Sequence, residues 1–342
     1  MKKTAIVLQG GGALGAYQLG ALKRIYKEHG FSPSFISGVS IGAVNAAVLA
    51  GGKYGPIKSL EKLWDSVKMN SLPMIPQDWQ AMWSKFGNPS MYNINSRLAV
   101  TPLTAKSIYD ITPFYELLIK LIDFDKLNDQ DTAEIIIEAV NVETGLLEIF
   151  SNKKPNGINI KHIIASMSIP PNFPAVEIDN KFYWDGGLYA NMPLGPAIKF
   201  LERKPSTNRQ ESENIERELI IISLFKKQAK LPNNIYEISN RIKEIMFESK
   251  LSLDNRYFEK MNNMIELMEK IGQIPNLPDN IKQDKLYQKL AAKKRIKKFL
   301  LQYKGEGVEG TDNFTDEAIK QRIRDGYRDA EAEIFNKCLY QH

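Results

Sequence analysis

At 342 residues, with a formal net charge of +6 and 43% hydrophobic residues, the chain is long enough for one large or two smaller domains and apolar enough for a real core. Its single cysteine, Cys338, excludes an internal disulfide framework and suits a reducing compartment. No stretch approaches the roughly 20 apolar residues of a membrane-spanning helix, and the apolar run after Lys2 and Lys3 ends at Gln9, too short for an export signal. These features predict a soluble, cytoplasmic protein.

The first element in chain order is a short buried strand over residues 4–9, ended by Gly10-Gly11-Gly12. A helix follows, with Leu14, Tyr17, Ala21, Leu22 and Ile25 on one face, and Gly30 stops it. Pro33 leads into a second strand at 34–37. The small-residue helix 41–50 comes next, halted by Gly51-Gly52, and another helix starts near Pro56. Strand, helix, strand, helix at this spacing predicts parallel strands joined by helical crossovers, hence an α/β sheet with helices on its faces.

Residues 69–128 are rich in methionine and aromatics: Met74, Trp79, Met82, Trp83, Phe86, Met91, Tyr92, Tyr109, Phe114 and Tyr115. They read either as a cap over an acyl-binding cleft or as core contacts of an inserted helical layer. Strands resume at 134–142 and 147–151, and a hairpin at 176–184 closes through Asp179-Asn180. The polar run 205–217 reads as a surface loop before the most apolar strand, 219–225. Everything after about Lys230 reads as helical, with one stripe of Ile235, Ile238, Ile242 and Ile245 and another of Tyr257, Met261, Met264, Ile265 and Met268.

The positive charge is local. Residues 281–304 hold nine basic residues and one acid, so the rest of the chain sums to −2. Such a segment serves either as a solvated helix or as a peripheral membrane contact, with Lys293 and Lys297 breaking its apolar stripe. No nucleic-acid partner is expected.

Three motifs carry chemistry. Gly38-Val39-Ser40-Ile41-Gly42 sets a serine where a strand turns into a helix, a bend that leaves room only for glycine two residues to either side. Gly10-Gly11-Gly12-Ala13-Leu14-Gly15 fits the G-x-G-x-x-G pattern, but the acid that a dinucleotide fold places on the ribose is missing between Gly30 and Ser40. The same glycine loop at a helix start offers backbone N–H groups to an oxyanion. Finally, Tyr183-Trp184-Asp185-Gly186-Gly187 puts a carboxylate at a strand end, where partial burial would make it a base. Asn191 reads as a cap for the next helix, with Pro193 in its first turn. The three histidines, His29, His162 and His342, stand in no triad-like setting, and no metal-ligand cluster or cofactor site is evident.

In this order the motifs resemble the patatin-like phospholipase family, over residues 4–228. The 165–171 stretch, Ala165 to Pro171, matches as well, and the C-terminal part resembles an extension of a bacterial subgroup. The resemblance implies a three-layer α/β sandwich with a mainly parallel central sheet. The chain then divides into a hydrolase domain (1–228, with about 69–128 as either a cap or an inserted core layer) and a helical C-terminal extension (229–342). The resemblance implies a Ser-Asp dyad of Ser40 as nucleophile and Asp185 as proton acceptor. Gly10, Gly11 and Gly12 would form the oxyanion loop, with Gly15, Gly38, Gly42, Gly186 and Gly187 supporting the turns. The implied activity is hydrolysis of carboxylic esters of lipids through an acyl-enzyme, without metal or cofactor. Acyl transfer through the same intermediate, and non-catalytic lipid or membrane binding, are the alternatives. One departure is Leu14, where many members carry a basic residue.

Overall fold

A computed structural model of the chain describes residues 2–70, 87–203, 215–305 and 310–336. Met74, Trp79, Met82, Trp83 and Phe86 of the expected cap lie outside them, as do most of the polar run 205–217, Cys338 and His342.

The chain opens with β1 (Lys2–Leu8), a 3-10 turn (Gly12–Gly15), α1 (Ala16–Ile25), β2 (Phe35–Gly38), α2 (Ile41–Gly51) and α3 (Pro56–Val67). Ala5, Ile6, Val7 and Leu8 are all buried, the continuous apolar run of a strand covered on both faces. Pro56 occupies the first turn of α3, and Leu60, Leu63, Trp64 and Val67 line its buried side. Next come the paired β3 (Asn93–Ile94) and β4 (Tyr109–Asp110), then β5 (Glu134–Asn141), β6 (Leu147–Ser151) and a helix at Ile160–Met167. The hairpin of β7 (Val176–Ile178) and β8 (Lys181–Asp185) turns through Asp179 and Asn180, both left-handed, as the sequence suggests. The helix Leu194–Glu202, β9 (Glu216–Ser223), the long helix Ile235–Gly272, β10 (Lys297–Gln302) and the closing helix Asp316–Ala330 complete the order.

The main sheet runs β10-β9-β1-β2-β5-β8-β7, with β6 also on β5. The first five are parallel; β6 and β8 pair antiparallel with β5, and β7 pairs antiparallel with β8. One apolar cluster joins the sheet to α1, α2 and α3. A second, on the opposite face, joins Ala5, Val7, Phe35 and Ile221 to Leu194, Ala197, Leu251 and Phe258. The three-layer α/β expectation holds.

The edge of β5 decides where the chemistry lies. β6 takes one edge, along Ile136 to Val140. β2 and β8 must therefore share the other, β2 beside Glu134–Ile137 and β8 beside Ala139–Asn141. Gly38 pairs with Ile137 and Asp185 pairs with Ala139. Two residues beyond Gly38, the chain is level with Asp185.

The C-terminal part is mainly helical, but the helical reading of 281–304 is corrected. Two short helices, Asp279–Lys282 and Lys285–Ala291, give way to β10, where Phe299 and Leu301 alternate inward against β9 with the period of a strand. Its basic residues are partly paired: Lys293 with Glu202, Arg295 with Glu266 and Lys298 with Glu259. The stripe Ile235, Ile238, Ile242 and Ile245 is also exposed, because the long helix packs through Asn240, Glu248, Leu251, Phe258 and Ile265. Met91, Tyr92 and Phe114 of the expected cap belong to the main core.

The closing helix packs against α1 with almost no gap. A Cβ built on Gly20 would stand 2.0 Å from Ile323 O, and one on Gly326 would stand 2.0 Å from Tyr17 O. Gly326→Val is expected to lower the unfolding free energy by at least about 1–3 kcal/mol, the usual cost of overpacking. Urea unfolding should show a lower midpoint at unchanged slope.

Candidate functional site

Ser40 sits at φ 55°, ψ −129°, a left-handed conformation unusual for a side-chain-bearing residue. The bend needs bare neighbours. A Cβ on Gly38 would fall 2.3 Å from Gly42 O, and one on Gly42 would fall 2.2 Å from Leu8 O. The Ser40 N–H is held by the helix Ile160–Met167, donating to both O and Oγ of Ser166 at 3.1 Å. Ser166 Oγ donates in turn to Glu138 O at 2.7 Å. Strain of this kind, typically about 1–3 kcal/mol, persists only where surrounding contacts over-determine it.

Asp185 ends β8 and is 3% exposed. Its N–H donates to Ser168 O at 3.0 Å, and its Oδ1 accepts from Gly187 N–H at 2.7 Å. The Ser40 side chain lies close enough to its carboxyl to favour the ionised form. Burial raises the carboxyl to about 7, outweighing the Gly187 bond and the nearby Ser40 side chain, which act the other way. Gly186 lies against Glu138 O and Gly187 against the Asn191 side chain, too close for a Cβ at either.

The glycine loop joins this pair. A Cβ on Gly10 would stand 2.8 Å from Ser40 Cβ, so the loop rests directly on the serine. Gly10 N–H donates to Asn191 O at 3.4 Å, and Asn191 Nδ2 donates back to Gly10 O at 3.0 Å. Gly11 packs on Leu224, Gly12 has φ 54°, and Gly15 abuts Ile41 and Trp64. Below the loop runs a buried polar chain. Trp64 Nε1 donates to Asn45 Oδ1 (3.1 Å), Asn45 Nδ2 to Gly15 O (3.1 Å) and to Gln18 Oε1 (2.8 Å), and Gln18 Nε2 to Gln9 O (2.7 Å). Gln9 Oε1 accepts from Ser223 Oγ at 3.0 Å and Leu224 N–H at 2.7 Å. Satisfied at these links, such a network rigidifies the backbone that it touches.

Ser40, Asp185 and Gly10–Gly12 thus come together. Among the described residues the histidines do not join them: His29 is exposed, and His162 accepts the Asn159 N–H at 3.0 Å in a capping box, its ring packed at a tilt against Phe150. Burial lowers His162 to about 4. Asn191 requires a correction: Pro193 occupies the cap position, and Asn191 grips Gly10 instead. Leu14 is buried in the core, and a cation that touches the loop is Arg322, on Ala13 O at 3.1 Å. The sequence reading assigned no role to Ser166 or Glu138. Glu138 is 2% exposed, its Oε2 has no hydrogen-bond partner among the described residues, and burial raises it to about 7.

The fold and site together define an α/β protein with a serine elbow facing a buried carboxylate. The chain matches the family model for patatin-like phospholipase over residues 6–198, and it belongs to that family. It is 27% identical over 240 residues to the probable lipid hydrolase 463L of Invertebrate iridescent virus 6, covering 69% of this chain and 75% of that protein. Among solved structures it is similar to VipD from Legionella pneumophila, at 13% identity and a TM-score of 0.38, over 96% of this chain and 66% of that one. It is also similar to the ExoU–SpcU complex of Pseudomonas aeruginosa, at 20% identity and a TM-score of 0.32, over 74% of this chain and 52% of that one. The chain therefore spans just under two thirds of the VipD chain and about half of the second. Among the described residues no helix is long and apolar enough to cross a membrane.

The raised Asp185 carboxyl has a consequence for stability. Its folded value, about 7, lies above the ordinary 3.8, so between those values the folded chain keeps a proton that the unfolded chain has lost. Native stability therefore declines as pH rises across that window and levels off above it. Asp185→Asn is expected to melt above wild type at pH 8, with the difference vanishing near pH 4. Thermal scans at both pH values measure this.

Proposed function

We propose that the protein is a serine acyl hydrolase of lipid carboxylic esters, of the phospholipase A or lysophospholipase type, working through a Ser40–Asp185 dyad. The observation that carries this reading is a strained serine elbow beside a buried carboxyl that burial raises to about 7. A carboxylate of ordinary acidity is a poor base toward a serine hydroxyl, and burial narrows that gap. Ser40 Oγ attacks the ester carbonyl carbon while Asp185 takes its proton. Negative charge develops on the carbonyl oxygen beside the glycine loop. Ala13 N–H is committed to Thr311 O at 2.8 Å, and Gly10 N–H makes its long bond to Asn191 O. We therefore assign the Gly11 and Gly12 amides as the main oxyanion donors, with Gly10 completing the loop. Asp185 returns the proton to the leaving alcohol, and the acyl-enzyme forms. Asp185 then deprotonates a water that attacks the acyl carbon, the bond to Ser40 Oγ breaks as Asp185 returns that proton to it, and the fatty acid leaves.

Peripheral contact with a lipid surface belongs to the same proposal. Lys285 and Lys289 of the basic segment are exposed. Leu188 and Tyr189, three and four residues past Asp185, are 46% and 54% exposed and would meet the lipid at the rim of the site.

Fluorophosphonate labelling should modify wild type at Ser40. Ser40→Ala should abolish labelling and lower ester hydrolysis by about 10³-fold or more. Hydrolysis at the wild-type rate by Ser40→Ala ends the proposal. Because the ionised carboxyl is the active form, kcat/KM should fall about tenfold per pH unit below 7 and stay level above it. Leu188→Glu is expected to slow hydrolysis of vesicle lipid several-fold while leaving a short soluble ester unaffected, as read in parallel assays.

A further inference from the structure

We infer that Arg322, on the closing helix, is a positioning residue that fixes the glycine loop, so that the C-terminal segment completes the candidate active site. Its catalytic consequence rests on the hydrolase reading above. Its geometry does not.

Arg322 is 0% exposed. Its Nη1 donates to Ala13 O at 3.1 Å and to Asn313 O at 2.7 Å, and its Nη2 donates to Gly310 O at 3.0 Å. One guanidinium thus joins the loop after β1 to a turn roughly 300 residues away in sequence. The same turn meets the loop a second time, since Ala13 N–H donates to Thr311 O at 2.8 Å. Ala13 is therefore held through both of its peptide units. Directly upstream, Gly12 sits at φ 54°, and a Cβ built on it would fall 2.2 Å from Thr311 O, so the loop is moulded onto the turn.

The turn is itself anchored. Tyr236 OH donates to Asp312 Oδ1 at 2.9 Å, Lys243 Nζ donates to Thr311 Oγ1 at 3.3 Å, and Thr315 Oγ1 donates to Asn313 Oδ1 at 2.8 Å. Tyr303 and Asp312 lie close enough to Arg322 to favour its charge.

A purely space-filling role does not call for a charge here. An apolar side chain of similar volume would fill the core without the desolvation that a buried cation suffers. What the guanidinium adds is a rigid planar fork that fixes three carbonyls from two chain segments relative to one another. The peptide units carrying the Gly11 and Gly12 amides are continuous with the pinned Ala13, so their direction toward Ser40 is set from the C-terminal turn. Oxyanion donors act only when their hydrogens are aimed at the charge before it develops. A loop free to rotate would lose that aim while still admitting substrate.

The test compares Arg322→Ala and Arg322→Lys with wild type on a short soluble ester, together with the ¹⁵N–¹H resonances of Gly11 and Gly12 in glycine-labelled protein. In Arg322→Ala, kcat should fall about 10²-fold with KM within about threefold, added guanidinium ion should restore part of the rate, and the two glycine resonances should shift. Where Arg322→Ala does not fold, Arg322→Lys is read by the same kcat, KM and resonance criteria. A folded variant with kcat within threefold of wild type and unmoved glycine resonances overturns the inference. So does a loss of activity that merely tracks the folded fraction and does not respond to guanidinium. Wild type that hydrolyses no ester defeats the hydrolase reading instead, and the glycine resonances then judge Arg322 alone.

Discussion

Two strands meeting head-on along one edge of β5 are the constraint from which the site follows. β2 arrives parallel and must leave the sheet at Gly38, because β8 occupies the same edge from Ala139 onward. The chain escapes by turning sharply into α2, and the turn puts Ser40 in its left-handed conformation. β8 comes from the opposite direction and ends at the same level with Asp185. Serine and carboxyl are neighbours because neither strand can extend past the other. Ser166 and Ser168 fix the junction from behind, one holding the Ser40 N–H and the other the Asp185 N–H.

This explains why the site's glycines were legible in the sequence. Gly38, Gly42 and Gly12 stand where a backbone carbonyl occupies the place of a Cβ, and no other residue type fits. A requirement that severe leaves a local pattern, and a local pattern can be read without coordinates. The strands 134–142 and 147–151 and the Asp179-Asn180 turn were legible for a similar reason, since their periodicity and turn chemistry are short-range.

What escaped was long-range. Asn191 looks like a helix cap from its neighbours, and only the fold brings Gly10 within reach of its amide. Arg322 sits on an ordinary amphipathic helix far from any motif. β10 was hidden by lysines: Lys297 and Lys298 bracket the strand's start and suggest a solvated helix, whereas Phe299 and Leu301 carry the inward face. The stripe on the long helix misled in the opposite sense. It is apolar and regular, yet the contact is made through residues about seven apart, Leu251, Phe258 and Ile265. Periodicity shows that a helix has a face, not which body that face meets.

The base proposed here, an aspartate without histidine, would exact a structural requirement of its own. An aspartate in water is too acidic to accept a serine proton efficiently, so the carboxyl must be desolvated, and desolvation costs folding free energy whenever the group is ionised. Ser40 adds backbone strain, and Glu138 adds a second buried carboxyl with an unpartnered oxygen close by. These burdens fall on one end of the sheet. The compensating features lie next to it: the polar chain from Trp64 to Ser223, the close glycine crossings of α1 on the closing helix, and the Arg322 fork. Each is rigid rather than merely apolar. A looser core could supply the same burial, but it could not keep a strained serine, a neutralised acid and a bare backbone loop in register with one another.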